Sequence, residues 1–328
     1  MTTTAKRFMW GAIAVLVAAL SGTSAHAQSY PTRPITVIVP FAGGSASDVV
    51  TRIMLDRMSK SIGQPFIVDN KPGAGGNIGT AQATKAAPDG YTLLAVGTGP
   101  ITANKTLYKE LGYDPDKDLE PISHFAHFNI IVTASSNLPV KTLSELIAYA
   151  KERPGQLNYG SVGIGSSQHL SGVYFEQAAG VKLTHVPYRN IAQYGPDLIA
   201  GTVPLGFQWL PNISGPLGTG GAKPLAVASK TRMPALPNVP TTAEAGLPDY
   251  IASGWFAMLA PRGTPKAIID KIHAELAAAI ADPAVRERFL QQGAEPAAPT
   301  PAETAKFFAD ETEKWRKVIT MGGIPQVQ

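Results

Sequence analysis

Two short stretches of this 328-residue chain combine glycines, hydroxyls and almost no charge. The first is Val39-Pro40-Phe41-Ala42-Gly43-Gly44-Ser45-Ala46-Ser47-Asp48. Its glycines let the backbone approach a guest closely. A helix opening at Ala46 brings unpaired N–H groups and a partial positive charge to the same place. That is an anion seat needing no charged side chain, and a carboxylate fits it as well as a phosphate. The second stretch is Ser161-Val162-Gly163-Ile164-Gly165-Ser166-Ser167-Gln168-His169. Here Ser166, Ser167 and Gln168 offer donors, and a neutral His169 offers one more. One such seat is ordinary; two in separate halves of the chain suggest a clamp.

Each stretch also has a plainer explanation. Ser45 and Asp48 have the spacing of a capping box, which would make the first a simple strand-to-helix turn. Asp48 is expected to serve local geometry in either case. A bare carboxylate beside an anion seat repels the guest unless its charge is spent on backbone donors. His169 has a capping or buried role as its alternative. Asn70-Lys71-Pro72-Gly73-Ala74-Gly75-Gly76-Asn77-Ile78-Gly79 is a third glycine-rich turn. It is no dinucleotide fingerprint, because the following strand ends Val96-Gly97-Thr98 with no acid for a ribose, and no lysine follows Gly79 to make a phosphate loop. It is expected to pack between lobes or wall a cleft, with Thr98 as a cleft donor.

Catalytic constellations are missing, and no enzyme activity, metal or cofactor is expected. There is no G-x-S-x-G elbow, and no histidine pair has zinc-binding spacing on a helix. His124 and His127, three apart in a strand-like segment, are expected on opposite faces. Ser166 with His169 resembles a nucleophile and base, but no third group orients them. Asn212-Ile213-Ser214 matches a glycosylation acceptor by chance.

The elements that must position these turns alternate. Ile35–Val39 is β-branched and apolar, as a strand buried on both faces should be. Strands are expected over 66–68, 92–96, 129–133, 157–161, 183–186, 203–207, 223–228 and 253–260. Helices are expected over 46–61, 77–86, 142–153, 167–178 and 193–200. Strand–helix alternation predicts α/β lobes with parallel-rich sheets. Thr264-Pro265, Asp282-Pro283 and Thr300-Pro301 each place a capping residue before a first-turn proline. Gly293 and Gly322 stand where the last two of these helices would stop.

The bulk properties agree. Lys6 and Arg7 precede an apolar run from Phe8 to Leu20 and a small-x-small site at Ala25-His26-Ala27. This is the form of a signal peptide cleaved after Ala27, too short for the roughly 20 residues of a membrane span. The remaining chain exceeds one ordinary hydrophobic core, so two lobes are expected. Net charge is +4, too small for a nucleic-acid stripe. Cysteine is absent, which removes disulfides and thiol chemistry together.

The whole chain resembles the Bug/TctC family of periplasmic receptors for tripartite tricarboxylate transporters. The matching segments are Tyr30 to Pro40, Asp69 to Gly79, Pro88 to Leu94, Leu107 to Pro115, Thr184 to Tyr188, Thr231 to Thr241, Ala243 to Pro248 and Gly254 to Pro265. The resemblance implies a type II periplasmic-binding fold, with the chain crossing twice between lobes. Lobe one would hold 28–127 plus 254–328, and lobe two 128–253. It further implies a small carboxylate gripped partly through water by Phe41, Ala42, Gly44, Ser45, Ala46 and Ser47 facing Gly163, Ser166, Ser167, Gln168 and His169. Partners would be a permease with a large and a small membrane subunit or, alternatively, a sensor kinase; the receptor itself would be a monomer.

The chain departs from family habit at Pro187-Tyr188-Arg189-Asn190-Ile191-Ala192 and near Gln208-Trp209. Arg189 is a candidate to pair bidentately with a distal carboxylate, favouring a C4–C6 diacid, with a surface arginine as its alternative. A family aspartate is replaced near Gln208-Trp209, which makes Gln208 a candidate ligand contact. Phe41, Phe207 and Trp209 would wall a cleft for an aromatic acid, or Trp209 would be buried in its lobe. An acidic amino acid is a further alternative ligand.

Overall fold

The computed structural model describes residues 30–321 and 323–327. The leader and Gly322 lie outside them. The chain divides into two units, Met1–Thr32 and Arg33–Gln328; of the first, only Tyr30 to Thr32 are described, joined by a cis Tyr30–Pro31 bond.

The second unit begins as the alternation predicts. Its elements are β1 (Ile35–Val39), α1 (Ala46–Ile62), β2 (Phe66–Asn70), α2 (Asn77–Thr84) and β3 (Thr92–Gly97). Short turns of helix, α3 (Asn104–Leu107) and α4 (Pro115–Asp118), lead to β4 (Leu119–Asn129). Then come β5 (Ile131–Ser135), α5 (Leu143–Lys151), β6 (Asn158–Ser161), α6 (Ser167–Ala179), β7 (Thr184–Pro187), α7 (Tyr194–Ala200), β8 (Leu205–Gln208), α8 (Leu210–Gly218) and β9 (Ala222–Val227). The last part holds β10 (Ser253–Pro261), α9 (Lys266–Ala281), α10 (Pro283–Gln291), β11 (Ala294–Pro296) and α11 (Pro301–Met321).

These strands form two sheets, one per lobe. The larger has the order β11-β4-β10-β3-β1-β2 and the smaller β7-β6-β8-β5-β9. Both are mixed. β1 runs parallel to β2 and β3, while β10 is antiparallel to β3 and β4. In the small sheet β6 is parallel to β7 and β8, and β5 antiparallel to β8 and β9. The buried β1 carries only β-branched residues between two neighbours, the composition that a doubly covered central strand requires. Trp255 of β10 stacks on Phe308 of α11 with centroids 4.8 Å apart, filling the large lobe.

The chain passes between sheets at Ile130 and again at Ala252, and these crossings are bonded together. Ile130 N–H donates to Ala252 O at 2.9 Å, Ala228 N–H to Ile130 O at 2.8 Å, and Ala252 N–H to Ala228 O at 3.1 Å.

Four expectations need correction. The strand foreseen at 129–133 is two strands, broken at Ile130, where the backbone turns to the other sheet. α8 has no counterpart among the expected helices, because Pro211 and Pro216 mask its pattern; Pro211 fits the first turn, which needs no N–H. Thr264 does not cap α9: its hydroxyl donates to Pro261 O at 2.8 Å and Pro265 takes the cap position. His124 and His127 share a face, with ring centroids 4.7 Å apart. The cause is a register shift against β10, where Phe256 pairs with Ala126 but Ala257 with His124. The extra residue, Phe125, restores a common face that simple alternation denies. At the other two proline sites the caps form as expected: Asp282 accepts from Ala284 N at 2.9 Å, and Thr300 accepts from Glu303 N at 3.3 Å.

Candidate functional site

Parallel neighbours put their carboxyl ends at one edge, and loops at that edge converge. In the large sheet these are the turns after β1, β2 and β3; in the small sheet, the turns after β6, β7 and β8. Main chain meets main chain where the two edges face. A methyl carbon built on Gly75 would lie 2.1 Å from Ile164 O, and one on Gly99 2.3 Å from Gly165 O. Only glycine permits that approach. Tyr108 adds a hydroxyl bond to Ile164 O at 3.2 Å.

The first turn is self-supporting. Gly44 takes the left-handed φ of +77° that lets Ser45 N–H reach back to Ala42 O at 3.2 Å. Asp48 is 4 % exposed and accepts from Gly44 N, Arg52 Nε and Asn70 Nδ2 at 2.9, 2.9 and 3.0 Å. Burial pushes its pKa up, but these bonds and the Arg52 charge outweigh burial and hold it below the usual carboxylate value. Its charge is thus spent on the turn and helix rather than on a guest. Asn70 also donates to Phe41 O at 3.0 Å, tying the end of β2 to the turn. Phe41 leans its ring over Gly76, and Ala42 is half-buried. The Ser45 hydroxyl caps nothing and instead bonds the Ser47 hydroxyl at 3.0 Å.

In the second turn Ser166 caps α6, accepting from His169 N at 3.3 Å and donating to Gly163 O at 2.7 Å. His169 Nδ1 accepts from Gly165 N–H at 3.2 Å. Burial pushes the His169 pKa down to about 4, so its ring is neutral and carries its proton on Nε2. His185 lies against it, centroids 4.2 Å apart, and shares a 2.6 Å hydrogen bond with Ser161 Oγ. Burial, and then the neighbouring His169, push His185 down to about 3. Ser166 and His169 each engage backbone in the way of a cap, not each other in the way of a nucleophile and base.

Ser167 is buried beside Gly254. Gln168 is 1 % exposed, and neither atom of its carboxamide has a hydrogen-bond partner. Each unpaired buried amide atom costs about 1–3 kcal/mol, a cost that a hydrogen-bonding guest removes. Helix geometry leaves the first amides of α1 and α6 without intrahelical acceptors. Ser47 and Asp48 on one helix, and Ser167 and Gln168 on the other, therefore present N–H groups from opposite sheets.

Not every expected residue joins them. Thr98 is spent on the crossing, its Oγ1 accepting from Trp255 N at 3.1 Å. Arg189 is exposed, on the loop before α7. Gln208 is fully buried, donating to Gly160 O at 2.9 Å and accepting from Asn212 Nδ2 at 3.0 Å. Phe207 packs inside the small lobe against Phe175 and Tyr159 and walls no cleft. Trp209 lies against Phe128 and Phe256, beside Gly254, with its indole N–H unpaired.

One residue at the junction escaped the sequence reading. Asn212 of α8 accepts from Ala46 N at 3.1 Å, bridging the lobes. The rule that ligand groups follow strand ends points to it, since it stands one turn beyond β8. A cavity of about 900 Å³ lies elsewhere, in the large lobe between α9 and α11, with Leu259, Ile269 and Phe308 on its wall.

Two α/β lobes joined by a double crossing, with amide-lined turns face to face, define a solute-binding protein. The chain belongs to the tripartite tricarboxylate transporter family of receptors, whose family model matches residues 50–324. It is 36% identical to Protein BugT of Bordetella pertussis over 298 residues, 90% of this chain and 91% of that one. Among solved structures it is similar to Rpa4515 of R. palustris, solved with adipate, at 36% identity and a TM-score of 0.88, covering 91% of this chain and all of the other. MatC of Rhodopseudomonas palustris, with bound malate, matches at 33% identity and a TM-score of 0.83, over 88% and 100% of the two chains.

Proposed function

We propose that this protein is a periplasmic receptor that closes on a small organic carboxylate and delivers it to a two-subunit membrane permease. The leader supports export, with cleavage after Ala27. Lobe one comprises 28–127 plus 254–328 and lobe two 128–253, and the lobes swing about the paired crossings. The acid sits between the turn Phe41–Asp48 and the turn Gly163–His169. C4–C6 dicarboxylates lead as ligands, in keeping with the adipate and malate carried by two related receptors.

The observation that carries this reading is the buried and unpaired Gln168 at the start of α6, in a turn whose backbone meets the large lobe at Gly75 and Gly99, with the start of α1 at the carboxyl end of β1. Helix starts attract a carboxylate, and Gln168 gives it a neutral partner. Each charge-assisted hydrogen bond contributes about 1.5–3 kcal/mol. Four of them supply about 6–12 kcal/mol, and the upper end of that range less the smallest ordering cost of about 4 kcal/mol leaves roughly −8 kcal/mol, a micromolar constant. Closure follows because the acid bonds both helix starts only when the lobes are together, so it shifts the population towards that form. Permease recognition of the closed surface then couples binding to uptake.

A thermal-shift panel of carboxylates on refolded, ligand-stripped protein tests the reading. Stabilisation by C4–C6 diacids, with none from matched alcohols, is expected. A panel with no shift from any acid would remove the proposal.

A further inference from the structure

A relay of side-chain amides runs from the small sheet to the start of α1. Gln208 Nε2 donates to Gly160 O at 2.9 Å, Asn212 Nδ2 to Gln208 Oε1 at 3.0 Å, and Ala46 N–H to Asn212 Oδ1 at 3.1 Å. Both ends of the relay are main-chain groups of fixed role. A carbonyl only accepts and an N–H only donates, so the orientation of each side-chain amide is dictated from the ends inward. Gln208 is fully buried and cannot turn over without setting its oxygen against the Gly160 oxygen.

Ala46 is the first residue of α1, and its N–H is one of the orphan donors of the anion seat. A neutral oxygen from the other lobe therefore stands on one seat donor. On α6 the His169 amide is similarly taken, by Ser166 Oγ at 3.3 Å. What remains is a pair of adjacent amides on each helix, Ser47 with Asp48 and Ser167 with Gln168. A pair suits a head group with two oxygens in one plane. Sulfonate and phosphonate heads carry three oxygens in a pyramid, and the third would need the donor that Asn212 holds.

We infer that Asn212, oriented by Gln208, is a specificity-determining residue that restricts the seat to planar carboxylates against pyramidal oxyanions of the same length. This rests on the carboxylate-receptor reading. The side chain must be neutral. An aspartate there brings a full negative charge to the helix start, where it competes with the ligand for the same donors and faces the Gln208 oxygen.

The test is calorimetric binding of length-matched pairs: succinate against ethane-1,2-disulfonate, and adipate against butane-1,4-disulfonate. Native protein, Asn212→Ala and Asn212→Asp are compared, each first shown by circular dichroism to melt cooperatively. Native protein is expected to prefer the dicarboxylate. In Asn212→Ala that preference falls by about tenfold, the worth of one hydrogen bond. In Asn212→Asp both classes weaken by about tenfold or more. A preference in Asn212→Ala within twofold of native, with adipate or succinate still bound, overturns the inference alone. Native protein that binds none of the four removes the receptor reading and the inference together.

Discussion

Gly99→Ala isolates the cost of closing. Gly99 has no left-handed φ, so alanine adopts its backbone without strain. Its methyl carbon would lie 2.3 Å from Gly165 O and 3.1 Å from Gly165 C, both on the opposite lobe. Carbon–oxygen contacts settle near about 3.3 Å, so the lobes must part by about 1 Å or the backbone must give. The obstacle is a main-chain carbonyl, which cannot swing aside as a side chain can. Overpacking of this kind costs about 1–3 kcal/mol. An open form bears none of it, so the whole penalty falls on the ligand-closed state, weakening binding by about 5- to 150-fold. Isothermal titration with the tightest acid of the panel measures the loss, and a ligand-free melt checks that the fold is untouched. Gly218→Ala is the control, because a methyl there meets nothing within 4 Å. Affinity of Gly99→Ala within twofold of native, with a normal melt, would refute the reasoning that the facing turns limit closure.

Other outcomes follow from the same geometry. Gly44→Val should abolish the ligand-induced thermal shift; a methyl there meets nothing, but φ of +77° is a conformation that valine resists, and a retained shift would count against the first turn as the seat. Asp48→Asn should lower the melting temperature at pH 7, and the gap should close in acid. A depressed carboxylate pKa stabilises above the unfolded value of about 3.9 and loses that contribution as pH falls through the folded value; a gap that persisted at pH 2 would contradict this. His169 and His185 act in the same direction at higher pH: the unfolded chain binds their protons first, so stability should fall from about pH 6.5 downwards, and His185→Asn should flatten that slope in a pH-resolved melt. Arg189→Ala should leave acid affinity within about twofold, since Arg189 is exposed; a larger loss would place it on the ligand.

Some of this site is legible from residues alone because its logic is local. Ser166, directly before the helix expected from 167, accepts from His169 N as its cap, and burial keeps His169 neutral as expected of a donor there. Asp48 keeps its charge and directs it to Gly44 and Arg52, as a carboxylate beside a helix start must. What stayed hidden depends on strand order. Gln208 and Asn212 matter because β8 lies beside β6 in parallel, which puts the ends of both strands at one edge. No pattern within residues 205–212 reveals which strand is the neighbour. The shared face of His124 and His127 was hidden for a related reason. A bulge is set by the partner strand β10, and two-residue alternation, read without it, gives the wrong face. Arg189 is undecided by pattern alone, since a charged residue on an exposed loop suits a ligand role or a plain surface one equally.

The bonded crossings at Ile130, Ala228 and Ala252 constrain what kind of movement is available. Two ribbons laced side by side resist sliding and twisting, because either would break the rungs between them, but they flex together like a strip of webbing. On the closure proposed above, the mouth would shut along one arc and bring the same peptide groups opposite one another each time. A device that meets its own backbone with ångström tolerances depends on that repeatability more than on any single grip on its cargo.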